Sequence, residues 1–576
     1  MTRPSEMGAL PRSDTAIGSI GRSVTPRFHS RENAGNFPAV TGLENALVLL
    51  LLLAALSVVG RRLPWPLPIT FVVGAGLVAL WPAFPRVELD PGFFFLCFVP
   101  PLLFSDGWLM PLRDFWAAKR PIFTLATGLV ILTTLSVGLV AHWLVPGLPL
   151  AMAFALGAVV SPTDAVAVAA ITQRLMVPPM LTAVLNGESL MNDATGLVAF
   201  KFALGAVVLG TFSVRAAAME FVILAAGGLV VGLGVSWLVG KLRDLLQRVH
   251  GADAMLETTI SLMTPFAAYL AATALGVSNI LSVVAAGLYA GWRDPIRMDA
   301  TTRQTTWSVW MVVLFWLNGL AFILLGLQLP SILESISASY SPGQLALFTA
   351  AVSGTAMLTR LLWMCPGGYV PYLIFRRALR DEPRPPWTWF AVAGWAGMRG
   401  TITLAAALSI PVALADGSPF PGRDIVIFLS ASVIVVTLLL QGTTLEWLIC
   451  KLGVRPDDTQ VREERAARIA AVEAGLKQLR AAATTTPEEA AAVGEIIGEY
   501  EHRLAELTAD GETQASSRRR RTSARQHRLA ALAAERTALD DLWRRNLITD
   551  ETHRPLQHLL DYEESLLTGH ENRPTG

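Results

Sequence analysis

The sequence predicts an all-α polytopic membrane protein of about thirteen transmembrane helices, followed by a helical cytosolic C-terminal region. Three observations predict it. Hydrophobic residues make up 53% of the 576 and charged residues only 16%, against roughly 25% charged in soluble globular domains. The charges are also gathered at one end: 19 basic and 22 acidic residues, of 46 and 45 in the chain, fall between Lys451 and Gly576. Upstream of Lys451, apolar runs long enough to span a bilayer, about 17–25 residues, follow one another almost without pause. Such a composition excludes a soluble enzyme, a disordered chain and a collagen-like fibre. The net charge of +1 leaves no basic excess for phosphate backbones, so nucleic acid is excluded as a partner.

Residues 1–42 are polar, rich in Ser, Gly, Arg and Pro, and lack the apolar stretch of a signal peptide; they are predicted to be a disordered N-terminal tail. Apolar cores then follow near 43–60, 67–83, 93–110, 121–141, 150–172, 180–210, 217–240, 257–275, 277–292, 305–328, 344–375, 389–412 and 424–449. The second, third and ninth are short. The sixth and eleventh exceed the bilayer thickness and must tilt, kink or extend past it. One set of alternating loops carries sixteen Lys and Arg, among them Arg61, Arg113, Arg174, Arg243, Arg293 and Arg376; the other set carries only Arg86, Arg215 and Arg423. The positive-inside bias puts the rich set and the C-terminal tail in the cytoplasm, and the N-terminus outside, for a multi-pass protein of a plasma (bacterial inner) membrane. Five arginines before residue 42 run against this direction. The transmembrane domain is thus 43–450 and the cytosolic helical domain 451–576. Within the latter, 459–480 and 488–508 have helical spacing, with a break at Thr485-Thr486-Pro487. Arg518 to Arg521 are predicted to be a solvated linker between helices, with binding to anionic lipid as the alternative. The three cysteines, Cys97, Cys365 and Cys450, have no paired spacing and imply neither disulfide framework nor metal cluster.

An ionisable side chain in a bilayer core costs at least roughly 2.5–3.5 kcal/mol, so each one needs a reason. The fifth run contains Ser161-Pro162-Thr163-Asp164. Proline breaks or kinks a helix, and unpaired backbone at membrane depth is tolerated only beside protein or a water cavity; an acid at that break marks a cation site. The sixth run contains Asn186-Gly187-Glu188-Ser189-Leu190-Met191-Asn192-Asp193. Ser189 and Asp193 are i,i+4 neighbours on one helix face, and Glu188 and Asn192 form the adjacent pair. These hard oxygen ligands suit an alkali cation. The twelfth run contains Gly394-Trp395-Ala396-Gly397-Met398-Arg399-Gly400, where a guanidinium inside a Gly-rich segment calls for an acid, Glu188 or Asp106. Asp106, in the third run, is a possible further site member. Lys201 and Arg360 are expected to snorkel or pair rather than to bind the ion.

The motifs Ser161-Pro162-Thr163-Asp164, Gly187 to Asp193 and Gly397-Met398-Arg399-Gly400 resemble those of the monovalent cation/proton antiporter family 1, which includes bacterial NhaP-type and animal NHE-type sodium/proton exchangers. Pro100 to Asp106, Phe315 to Asn318 and Leu324 to Leu329 are similar to other parts of its core, and the resemblance covers residues 43–450. It implies inverted repeats with two discontinuous crossing helices, a homodimer embedded in membrane lipid, and no cofactor. Asp193 would be the proton- and cation-binding carboxylate. Asp164, Ser189 and the Thr163 carbonyl would be further Na⁺ ligands, Asn192 would organise the site, and Glu188 would pair with Arg399. The Asn192-Asp193 pair resembles the electroneutral branch, exchanging one Na⁺ (or Li⁺) for one H⁺ in pH and sodium homeostasis. A K⁺/H⁺ antiporter of the same fold is the alternative. Rivals from other classes are an intramembrane aspartyl protease, whose Gly-x-Gly-Asp pattern neither Asp164 nor Asp193 follows, and a cation sensor signalling through the tail.

Overall fold

The computed structural model describes residues 42–82, 84, 90–172, 174–175, 177–209, 214–251, 253–367, 386–414, 416–454, 458–481, 486–508, 511–545 and 547–568. The predicted N-terminal tail therefore lies outside the described residues, apart from Gly42. The described residues fold into helices, with no strand beyond an isolated bridge between Ala413 and Pro419.

In chain order the helices are α1 (Gly42–Gly60), α2 (Leu67–Ala79), α3 (Pro91–Cys97), α4 (Val99–Leu109), α5 (Leu112–Ala117), α6 (Lys119–Phe123), α7 (Val130–Leu144), α8 (Leu150–Val160), α9 (Ala165–Thr172), α10 (Pro179–Leu209), α11 (Val214–His250), α12 (Ala254–Ala274), α13 (Asn279–Arg297), α14 (Ala300–Ser337), α15 (Pro342–Gly367), α16 (Trp387–Trp395), α17 (Thr401–Leu408) and α18 (Arg423–Lys451). A π-helical turn, Thr124–Leu129, joins α6 to α7. Each predicted apolar core coincides, over the described residues, with one helix or an interrupted pair. Eight helical segments among the described residues are long and apolar enough to cross a membrane; α1 and α2 are apolar but shorter. α13 is less apolar because its last turns carry Arg293, Asp294 and Arg297.

Local chemistry sets the boundaries. Asp90 caps α3, accepting from the Gly92 and Phe93 amides at 3.1 and 3.3 Å, with Pro91 at the first helical position, where its missing N–H costs nothing. Asp253 caps α12 in the same way, and Ser278 caps α13. The Pro100-Pro101 pair follows the junction of α3 and α4 at Phe98. Several helices run past their apolar cores. Lys241, Arg243 and Arg248 lie on α11 and Arg303 on α14, so part of the basic excess assigned to loops sits on helix ends.

Packing divides the body into two neighbourhoods. In the first, α2 lies along α14, and α4 packs on α13, which is flanked by α11 and α12. The α4–α13 approach is close: a Cβ on Gly287 would run into the Phe104 carbonyl. Along α11, Val230, Leu233, Trp237 and Leu242 are exposed, the surface expected of a lipid-facing helix. In the second, α7, α8, α10, α15, α16, α17 and α18 pack on one another, and both interrupted pairs are there.

Beyond Lys451 come α19 (Asp458–Ala481), α20 (Pro487–Thr508), α21 (Gly511–Arg544) and α22 (Asp550–Thr568). The first two match the predicted tail helices. Arg518 to Arg521 lie inside α21, not in a linker, since arginine is a good helix former. α21 and α22 enclose a small core of Leu532, Leu539 and Leu560, tied by Arg536 to Asp561 and Glu564 at 2.6 Å each. α20 starts with a reciprocal cap: Thr486 Oγ accepts from the Glu489 amide at 3.2 Å, and Glu489 accepts from the Thr486 amide at 3.3 Å. Thr486→Ala should therefore destabilise the first turn of α20 by about 1 kcal/mol, read as roughly fivefold faster hydrogen exchange there, with α21 and α22 unchanged.

Candidate functional site

α8 ends at Val160 and α9 begins at Ala165; α16 ends at Trp395 and α17 begins at Thr401. Pro162 in the first gap supplies no N–H, and the second gap is glycine-rich. The two gaps meet, the Asp164 amide donating to the Met398 carbonyl at 2.8 Å. Four helix ends, with their unpaired backbone groups and partial charges, thus converge between the packed helices.

Two charged side chains answer these ends by sign. Asp164 Oδ1 accepts from the Val166 amide at 2.8 Å, holding an acid at the N-terminus of α9. A Cβ on Gly400 would collide with the same carboxylate, so glycine is required there for Asp164 to approach the start of α17 as well. Arg399, 1% exposed, donates through Nε to the Val160 carbonyl at 3.0 Å and through Nη1 to the Gly397 carbonyl. A cation therefore faces the C-terminal ends and an acid the N-terminal ends, the favourable sense of each helix dipole.

α10 crosses beside the first gap. Ser189 Oγ donates to the Thr163 carbonyl at 2.7 Å and accepts from the Ala165 amide at 3.1 Å. Asn192 Nδ2 donates to Thr163 Oγ1 at 2.9 Å, and Thr163 Oγ1 donates to Glu188 Oε1 at 3.3 Å. Arg360, on α15, grips Glu188 with both Nη atoms, Nη2 to Oε2 at 2.8 Å, while its Nε donates to the Ala393 carbonyl at 3.0 Å. Glu188 and Arg360 are each 1% exposed.

This corrects the expected Glu188–Arg399 pair. The carboxylate is held by Arg360, and Arg399 is taken up by the carbonyls that the two interruptions free. Arg360 also sits in an apolar run, so the signal that marked Arg399 marked it equally; the glycines around Arg399, which announce exposed carbonyls, were the available clue. Lys201 is exposed on α10.

The remaining predicted residues come together. Asp193, 7% exposed, lies one turn after Ser189 and receives no hydrogen bond from the described residues. It feels the charges of Asp164 and Asp106, and Asp106, half-buried on α4, feels that of Asp164. Asn192 Oδ1 is buried with no hydrogen-bond partner among the described residues. The site is thus a group of oxygen acceptors in which one buried carboxylate lacks a donor, and such a carboxylate must take up a proton or a cation.

Residues 48–451 match the family model described as sodium/hydrogen exchanger, transmembrane. The chain belongs to this family. It is accordingly an integral membrane protein and a cation/proton antiporter. Its relatives include the uncharacterized Na(+)/H(+) exchanger YjcE of Escherichia coli (strain K12), 38% identical over 90% of this chain and 98% of that one. The sodium, potassium, lithium and rubidium/H(+) antiporter of Bacillus subtilis (strain 168) is 36% identical over 90% of this chain and 77% of that one. The fold of the exchanger is that of the sodium proton antiporter MjNhaP1 from Methanocaldococcus jannaschii, with a TM-score of 0.55 at 19% identity over 71% of this chain and 99% of that one.

The pairing has a thermodynamic test. Glu188→Gln and Arg360→Gln should each cost about 3–5 kcal/mol, because each strands a buried charge, and the double variant should cost clearly less than their sum. The coupling of Glu188 to Arg399 in the parallel cycle should be smaller. Denaturant unfolding of detergent-solubilised protein measures all of these, and equal couplings would contradict the assignment.

Proposed function

We propose that the exchanger carries Na⁺ (or Li⁺) against H⁺, one for one, without a cofactor, for pH and sodium homeostasis. The observation that carries this reading is the state of the buried charges. Glu188 is neutralised by Arg360, Arg399 by backbone carbonyls and Asp164 by the amides of α9, which leaves two carboxylates without a donor among the described residues, the half-buried Asp106 and the buried Asp193; of the two, Asp193 shares a helix face with Ser189. In this reading Asp193 binds either a proton or a cation, because one carboxylate in a low-dielectric site cannot balance two positive charges. Asp164 and the second lone pair of the Thr163 carbonyl complete the cation shell with Ser189, whose hydroxyl is oriented by the Ala165 amide. Asn192 holds the Thr163 hydroxyl in place. Alternating exposure of the site to the two sides then turns competition into exchange.

The interrupted pairs α8/α9 and α16/α17 act as corresponding discontinuous helices of two inverted repeats within thirteen crossings. The N-terminus lies outside and the tail inside, in a bacterial inner membrane, and the protein works as a homodimer. A broader cation range that includes K⁺ is favoured by the similarity to the sodium, potassium, lithium and rubidium/H(+) antiporter of Bacillus subtilis.

Asp193→Asn should abolish cation-driven proton flux, measured by dequenching of a pH dye in inverted vesicles with Na⁺, Li⁺ and K⁺ in turn, while the purified variant unfolds like wild type. Retained flux would refute the assignment. Exchange of one charge for one gives the membrane potential, about 2.3 kcal/mol per charge per 100 mV, nothing to act on. A K⁺/valinomycin potential across proteoliposomes at equal pH should therefore drive no Na⁺ uptake, and uptake would mean that a second proton is carried. A chain ending at Val454 should keep transport but shift its pH or cation dependence, as expected if the tail regulates or assembles the exchanger; loss of all flux in an inserted, folded truncation would reject that role.

A further inference from the structure

A second charge cluster joins the far ends of α11, α12 and α13, away from the site described above. Arg243 on α11, 5% exposed, donates to Asp294 on α13 at 2.9 Å and to Glu257 on α12 at 3.0 Å. Arg297 donates to Asp244 at 3.2 Å, and the Trp108 indole on α4 donates to Asp294. Each carboxylate of the cluster is therefore already held by an arginine. Arg293, one turn before Arg297, makes no ion pair among the described residues; its guanidinium lies over the Trp292 ring at 4.9 Å.

Arg243, Arg293, Asp294, Arg297, Tyr289 and Ser261 border a cavity with room for about one oxygen-sized group. The Nε–H groups of Arg243 and Arg293 are both buried and neither has an acceptor among the described residues. Buried donors are almost always satisfied, so two unsatisfied donors on one cavity call for an oxygen there. Charge says which kind: of the charged residues that border the cavity, three are the arginines Arg243, Arg293 and Arg297 and one is the acid Asp294. Beside the cavity, Trp237, Leu238, Leu242, Trp292 and Ile296 are exposed, an apolar flank suited to acyl chains.

We propose that this cavity takes one phosphate oxygen of an anionic phospholipid, with the Nε–H groups of Arg243 and Arg293 as its donors and the exposed apolar flank of α11 and α13 against the acyl chains. A forked guanidinium suits a phosphate better than an ammonium does. The site depends neither on the ion chemistry proposed above nor on which side of the membrane it faces.

Thermal unfolding of the full chain in non-ionic detergent, titrated separately with phosphatidylglycerol, phosphatidylcholine and inorganic phosphate, tests this. Phosphatidylglycerol should raise the midpoint, while phosphatidylcholine and inorganic phosphate should not. Arg293→Gln should raise the phosphatidylglycerol concentration for half-maximal stabilisation at least tenfold, whereas Lys241→Gln, on the exposed face of α11, should change it less than twofold. Should the Gln variant not fold, Arg293→Lys, which keeps the charge but loses the fork, should still raise it at least threefold. Equal stabilisation by the two lipids, none by either, an unchanged response in the Arg293 variants, or an equal loss in Lys241→Gln would overturn the site. A full effect of inorganic phosphate alone would overturn the lipid assignment in favour of a free anion.

Discussion

The structure depends on one constraint: backbone groups freed by an interrupted helix at membrane depth must find partners inside the protein. With no water to take them, each unsatisfied group costs several kcal/mol. The exchanger interrupts two helices and sets the gaps against each other, so that the Asp164 amide and the Met398 carbonyl satisfy one another. The helix-end charges left over are met by Asp164 at the N-terminal ends and Arg399 at the C-terminal ends. Both residues that look ionic in the sequence are thus first of all partners of backbone, and the packing of α10 and α18 follows from where those gaps are placed.

From this arrangement the division of labour among the charges follows. Fixed charges are paired and hidden: Glu188 with Arg360, and Arg399 with carbonyls, reinforced by the Arg399 amide donating to Thr437 Oγ1 at 3.3 Å. Glu188 also anchors α10 to α15 and, through Thr163, to the gap itself. A buried pair of this kind contributes little net stability over an apolar substitute, yet removing one partner is costly, so it serves to hold α10 in register. Against that rigid background Asp193 is a buried carboxylate that receives no hydrogen bond from the described residues, and in the proposed function a proton or a monovalent cation completes it. Asn192, with its amide nitrogen committed to Thr163 and its oxygen free, adds an acceptor without adding a charge.

The opposite neighbourhood uses its charges differently. Arg243, Glu257 and Asp294 tie three helices together near their ends, and Trp108 links α4 to the same cluster, two residues from Asp106. The position of Asp106 beside Asp164 is in this way tied to the packing of α13. The tail follows soluble rules, with a reciprocal cap at Thr486 and Glu489 and exposed ion pairs, each of which is worth at most about 1 kcal/mol.

The sequence by itself determined the solvent of this protein and the helical segments, and it marked the polar residues that the structure gathers around the two interruptions. Apolar length, the break at Pro162, and the i,i+4 carboxylate and amide pattern of Glu188 to Asp193 are local signals, set by properties that each segment carries alone. The 396–400 interruption was only half legible: its glycines were visible, but nothing local said that they would face Asp164. Tertiary structure alone decided the partners. Glu188, Arg360 and Arg399 are all mid-span charges, and no periodicity within one helix states which helix lies opposite it. Residues 188 and 360 are brought together by the packing of α10 and α15, and Arg399 is withdrawn from the competition by carbonyls that exist only because two helices break at the same depth. Arg243 was placed in a loop for the same reason: a charge at the end of an apolar run looks solvated until the carboxylates of two other helices are seen to enclose it.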